Sequence, residues 1–188
     1  MSSSRQPSLT TARFSLVPFA LTDAPELQRT INDYEIAMMT RHVDFPYTLE
    51  MGEAWLARHE GLWNEGKAAI FAIRQPATGE LVGGAGLEIC STDHFAELGY
   101  WIARKYWNQG VATEAAAAVV EFGFDQLGLN RIVAHHMTRN PASGRVLEKL
   151  GMTREGLLRR HARKWGEFHD VVIFGILAED WEKRRKIG

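Results

Sequence analysis

The stretch Glu97–Ala118, ELGYWIARKYWNQGVATEAAAA, restricts what this chain can fold into more than any other. Its first part alternates as a strand does, with Tyr100 and Ile102 on one face and Gly99 and Trp101 on the other. A polar turn around Asn108, Gln109 and Gly110 then feeds an alanine-rich helix. Small residues at that junction leave the first backbone N–H groups of the helix unpartnered and uncovered, which suits them to an anion such as a diphosphate. Nucleotide hydrolysis is unsupported, because a Walker-type loop needs a Gly-Lys-Ser/Thr run and no Lys follows Gly110 at that spacing. A side chain added at Gly110 is expected to crowd the anion.

The flanking sequence mixes strands and helices without internal repeats. A first strand over Phe14–Val17 stops at Pro18, and Thr22-Asp23-Ala24-Pro25-Glu26 opens a helix that runs through Leu27 and Ile31. The segment Met38–Tyr47 loses any period and reads as a loop. Helical spacing returns from Glu53 to Trp63. Strands over Ala69–Ile73 and Leu81–Ile89 form a hairpin, and its glycines lie inside a strand, so they are no dinucleotide fingerprint. A helix over Gly110–Leu127, a strand over Arg131–Met137, and a helix capped by Asn140 and closed by Gly151 follow. Two last strands, Thr153–Arg163 and Asp170–Leu177, flank the turn at Lys164-Trp165-Gly166. The expected organisation is a loose tail at 1–8, one domain at 9–181, and a charged, solvated tail at 182–188.

At 188 residues and 45% hydrophobic content the chain is large enough for one domain with its own core. A formal charge of -1 supplies no overall field for nucleic acid or an anionic membrane. No apolar run approaches the roughly 20 residues of a membrane span. The opening MSSSRQPS lacks a secretory signal's apolar segment, so a cytoplasmic protein is expected. Cys90 is the single cysteine and reads as core. The His residues lack HExxH spacing, so no metal is expected. Without a GxSxG elbow, a covalent acyl-enzyme is not favoured.

Three blocks, taken in order, carry a resemblance. They are Glu97–Ile102, then Tyr106–Ala115, then Asn140-Pro141-Ala142-Ser143 with Leu147–Met152. Together they resemble the GNAT acetyltransferase superfamily, and within it the Rim-type ribosomal-protein N-terminal acetyltransferase branch, over about Leu9 to Trp181. The resemblance implies an α/β fold of the α+β kind, with a mixed, mostly antiparallel central sheet, splayed strands and about four helices. It also implies acetyl-CoA as cofactor, direct transfer to an amine, and a homodimer as a family-level expectation. By position, Gln109, Gly110, Val111, Ala112 and Thr113 would offer backbone amides to the CoA pyrophosphate. Trp101 and Ile102 would offer backbone groups to the pantetheine arm and the thioester oxygen. Asn140 would touch pantetheine with its side chain, and Ser143 would protonate the departing thiolate. Trp107 departs from the Arg or Gln that commonly opens the family's phosphate signature. Each assignment has a plainer competitor: Asn140 as a helix cap, Ser143 as a first-turn serine, Trp101 as core.

An amine must be neutral to attack a thioester. An α-amino group with a pKa near 8 is about one tenth neutral at pH 7, a cost of about 1.4 kcal/mol, whereas a Lys amine near 10.4 costs about 4.6 kcal/mol. A general base is therefore useful in the first case and nearly required in the second. Candidates are Glu97, Glu88, and His135 or His136, of which alternation lets at most one His face the site. The expected activity is acetyl-CoA-dependent N-acetylation of a protein or peptide N-terminus. The alternatives are a small amine (amino acid, polyamine or antibiotic) as acceptor, or a non-catalytic acyl-CoA sensor. The acceptor-facing segments are expected to be Met38–Tyr47 and Arg159–His169.

Overall fold

The computed structural model describes residues 5–187, with side chains through Lys186. Eight strands make one sheet: β1 (Leu9–Thr10), β2 (Ser15–Pro18), β3 (Ala68–Arg74), β4 (Leu81–Cys90), β5 (Phe95–Ile102), β6 (Arg131–Met137), β7 (Thr153–Lys164) and β8 (Glu167–Leu177). Their order is β1-β2-β3-β4-β5-β6-β8-β7. Every neighbouring pair is antiparallel except β5 with β6. The mostly antiparallel mixed sheet agrees with the expected fold class.

Helices cover both faces. On one lie α1 (Ala24–Ile31), α2 (Tyr34–Met39) and α3 (Leu49–Leu56), whose Leu27, Ile31, Ile36 and Leu56 pack with Ala72, Leu81 and Trp101 of the sheet. On the other, α5 (Val111–Asp125) buries Val111, Ala115, Ala116, Val119 and Phe122 against Phe71, Leu87, Leu98 and Ile132. Gly123 allows close approach: a methyl there would lie 2.8 Å from Leu87 and 2.9 Å from Ile132. α6 (Pro141–Lys149) begins at Asn140, whose side chain accepts from the Ser143 N–H.

Several elements differ from the sequence reading. The helix expected over Glu53–Trp63 breaks near Arg58 into α3 and α4 (His59–Asn64). The loop expected at Met38–Tyr47 is preceded by α2, which Asp33 caps through the N–H groups of Glu35 and Ile36. The sheet thus carries more helical segments than the four or so expected. Cys90 ends β4 half-buried rather than in the core, its thiol 3.4 Å from Asp93 Oδ2. The C-terminal charges are not merely solvated, for α7 (Ala178–Ile187) docks through buried Trp181, with Arg185 reaching Glu121 at 3.1 Å and Asp125 at 2.8 Å. Of the tail expected at 1–8, residues 1–4 lie outside the described range, while buried Gln6 donates from Nε2 to the Ile70 carbonyl at 2.9 Å.

Candidate active site

The parallel pair β5–β6 is joined only from Phe95 with Arg131 to Leu98 with Ala134, although β5 continues to Ile102 and β6 to Met137. Past Leu98 the strands part, and the sheet opens into a fork. The alternation of the ladder decides which backbone groups face it. Ala103 donates to the Val82 carbonyl at 2.8 Å, so odd-numbered β5 residues, Trp101 included, turn their amides and carbonyls to β4. Those of Tyr100 and Ile102 turn to the fork. The Ile102 carbonyl is already taken by the Trp107 indole N–H at 2.8 Å, leaving its N–H available. From the other side Met137 faces the gap, its carbonyl accepting from Asn140 N at 2.8 Å.

One face of the fork carries Glu97 and His135. Glu97 Oε1 lies 3.0 Å from His135 Nδ1. That hydrogen bond, against the opposing effect of burial and with help from the charges of His135, Arg41 and His42, holds the Glu97 carboxyl below its ordinary range. Nδ1–H donates to the carboxylate, which in the neutral ring leaves the lone pair on Nε2. Exposed Glu88 stands beside Glu97 in the strand register. His136 points to the opposite face, under α6, where its Nδ1 donates to the Met137 carbonyl at 2.9 Å and a methyl at Gly144 would meet its Nε2 at 2.9 Å.

That opposite face holds Tyr100 and Ser143. Their hydroxyls are 2.8 Å apart, and the Tyr100 hydroxyl also reaches the Ser143 carbonyl at 3.2 Å. Burial pushes the Tyr100 phenol up to about 12, against the lowering effect of Ser143, so it keeps its proton at neutral pH. Asn140 is committed at both ends: Oδ1 caps Ser143 N at 3.1 Å and Nδ2 donates to the Met39 carbonyl at 3.0 Å, fastening the end of α2 to the start of α6.

At the end of β5 the turn Asn108-Gln109-Gly110 has left-handed residues on both sides of Gln109, with φ of 60° at Asn108 and 75° at Gly110. The first bond inside α5 runs from Glu114 N to the Gly110 carbonyl, and no side chain caps the helix, so the amides of Val111, Ala112 and Thr113 have no intrahelical acceptor. This cradle suits a diphosphate. A methyl on Gly110 would lie 3.5 Å from Arg13 Nη2, which puts it on the Arg13 side of the turn. The need for Gly there is the left-handed backbone rather than crowding of the anion.

Segments far apart in sequence arch over the Glu97 face. Tyr34 stacks on Trp165 with centroids 5.5 Å apart and meets Phe45 edge-on at 5.6 Å. Lys164, only 4% exposed, donates to the Val43 carbonyl. Burial lowers its ammonium, with Asp44 opposing and Arg139 reinforcing that shift. The structure thus joins the two segments expected to face an acceptor. A cleft of about 670 Å³ beside β2 and β3, lined in part by Asp23, Glu26 and Arg74, shares no residue with the fork, and its Arg74 is paired with both carboxylates at 2.9 Å.

Sequence reasoning missed Tyr100 and the anchoring role of Trp107. The alternation that put Tyr100 beside Ile102 was the available signal, but its partner Ser143 is 43 residues away.

Among the described residues no helix is long and apolar enough to cross a membrane. Comparison with known proteins agrees with the geometry. A sequence profile described as "Acetyltransferase (GNAT) domain" matches residues 13–153. The chain is 31% identical over 176 residues to an uncharacterized N-acetyltransferase p20 of Bacillus licheniformis, covering 92% of this chain and 97% of that one. It is 30% identical over 137 residues to a [ribosomal protein uS5]-alanine N-acetyltransferase of Escherichia coli, covering 70% of each. A crystal structure of a GNAT-family acetyltransferase from Bacillus anthracis superposes with a TM-score of 0.81 at 26% identity, over 92% of this chain and 99% of the other.

Proposed function

Because the chain belongs to the GNAT acetyltransferase family, whose members are acyltransferases that use acetyl-CoA, we propose that it acetylates the α-amine at a protein or peptide N-terminus. One observation carries this reading: the fork has a proton acceptor, the Glu97–His135 pair, on one face and a proton donor, the Tyr100–Ser143 pair, on the other. Acetyl-CoA supplies an activated acetyl thioester. The amides of Gly110 to Thr113 would hold its diphosphate, and the fork-facing backbone of Tyr100 and Ile102 would align its arm. Glu97 orients His135, whose Nε2 takes a proton from the incoming ammonium. Ser143 gives a proton to the departing sulfur and regains one through Tyr100, which solvent reprotonates while His135 releases its own proton to water. Asn140 holds Ser143 in place through its cap.

The base and the arch support this acceptor class. Removing the proton costs ~1.4 kcal/mol for an α-amine and ~4.6 kcal/mol for a Lys, so the α-amine asks less of the partly exposed Glu97–His135 pair. The Tyr34–Phe45–Trp165 arch over this face would favour a chain end over a folded surface. The uS5-alanine relative is named for acetylating a protein alanine. The reaction would belong to the cytoplasm. The test is release of free thiol from acetyl-CoA with a panel of N-terminal peptides, amino acids, polyamines and aminoglycosides. Turnover on peptides is expected, turnover on small amines alone would replace the acceptor, and tight CoA binding with no turnover would make the protein a sensor.

A further inference from the structure

The turn between β1 and β2 reaches across to the start of α5. Glu114 stands in that helix's first turn, where a bare carboxylate would oppose any phosphate bound at the amides beside it. The β1–β2 turn deals with this charge. Glu114 Oε1 accepts from Thr11 Oγ1 at 2.6 Å and from the Arg13 backbone N–H at 2.8 Å, and Oε2 accepts from Arg13 Nε at 2.6 Å. The same guanidinium donates from Nη1 to the Gln109 carbonyl at 3.0 Å. Gln109 lies between the two left-handed residues. In a trans peptide the carbonyl and the next N–H point opposite ways, so a Gln109 carbonyl fixed toward Arg13 aims the Gly110 N–H away from it.

We propose that Arg13 is a positioning residue for the diphosphate: it fixes the Gln109–Gly110 peptide so that the amides converge, and it cancels the Glu114 charge beside them. The proposal rests on acetyl-CoA as donor. A purely structural role is the competing reading, but Arg13 is 49% exposed and Glu114 20%, and an exposed pair of this kind adds little to stability. That same exposure means that Arg13→Gln should fold.

Calorimetric titration with CoA, and kcat/KM for acetyl-CoA against S-acetyl-pantetheine, distinguish the two. Arg13→Gln should weaken CoA binding about tenfold, the scale of one lost charge-assisted contact, with the loss confined to the phosphate-bearing donor. Adding Glu114→Gln to that variant should recover most of the affinity, because the uncancelled carboxylate is then gone. A CoA Kd for Arg13→Gln within twofold of the parent, or equal losses for acetyl-CoA and S-acetyl-pantetheine, would overturn the proposal. A parent protein that binds no CoA would overturn the donor assignment and this proposal with it, so the two failures are told apart by the parent alone.

Discussion

Replacing Glu97 by Gln keeps the shape of the side chain but removes the charge that orients His135 from 3.0 Å. The pair is partly exposed, so the stability cost should stay below about 1 kcal/mol. The kinetic cost should be larger and should depend on pH in a defined way. With the base in place, an enzyme-bound ammonium is deprotonated on the protein and the rate changes little between pH 7 and 9. Without Glu97 to orient it, His135 is a poor proton acceptor, and it is mainly acceptor already neutral that reacts. For an α-amine of pKa near 8 that fraction rises from about one tenth at pH 7 to about nine tenths at pH 9. The ratio of parent to variant kcat/KM should therefore start at about a hundredfold near pH 7 and shrink about tenfold by pH 9. Thiol release with a peptide acceptor, read at each pH, measures it. A ratio that stays constant would refute the assignment of the Glu97–His135 pair to proton removal. A ratio still falling above pH 10 would point to a Lys-type amine instead.

Tyr100→Phe and Ser143→Ala should each slow turnover by about a hundredfold with little change in CoA affinity, and the double variant should be no slower than the worse single, as expected for one relay; additive losses in steady-state kinetics would separate the two residues. Gly110→Asn should retain CoA binding better than Gly110→Val, because φ is 75° there and Asn tolerates the left-handed region that a β-branched residue avoids, and equal Kd values would contradict this. His59 is 7% exposed, both its ring nitrogens lack partners, and burial with some help from Arg58 depresses it to about 4. The folded state therefore binds its proton less readily than the unfolded state, for which 6.5 applies, so stability is full above pH 6.5 and falls as the pH drops toward 4. Urea unfolding should show about 3 kcal/mol more loss between pH 7 and 4 in the parent than in His59→Leu, and parallel profiles would count against it.

Strands were legible where alternation was strong, and Arg131–Met137 is bounded in the structure as its pattern predicts. The break between α3 and α4 was not, because Trp55, Leu56, His59 and Leu62 keep helical spacing across it. α2 was hidden for a different reason: six residues carry too little period, and only the Asp33 cap signals its start. The uncapped amides at the start of α5 were readable because they are consecutive. Glu97 and His135 were each named as candidate bases, but their pairing spans 38 residues and exists only through the β5–β6 register. Arg185 finds its partner Asp125 across 60 residues, so a local reading of the charged end could only leave it in water.

Most sheets have two rims, and proteins guard them because unpaired backbone recruits other strands. The parting of β5 from β6 gives this sheet a second pair of rims in its interior. Trp107 and Asn140 each stopper one carbonyl there, on Ile102 and Met137, and the Tyr100 and Ile102 amides face the gap without a strand partner. A ligand arm lying in that gap would act as the missing strand of the ladder. Amide exchange at Tyr100 and Ile102 should then be rapid in the free protein and slow once CoA is bound, while Ala96 and Leu98, zipped to β6 throughout, report no difference.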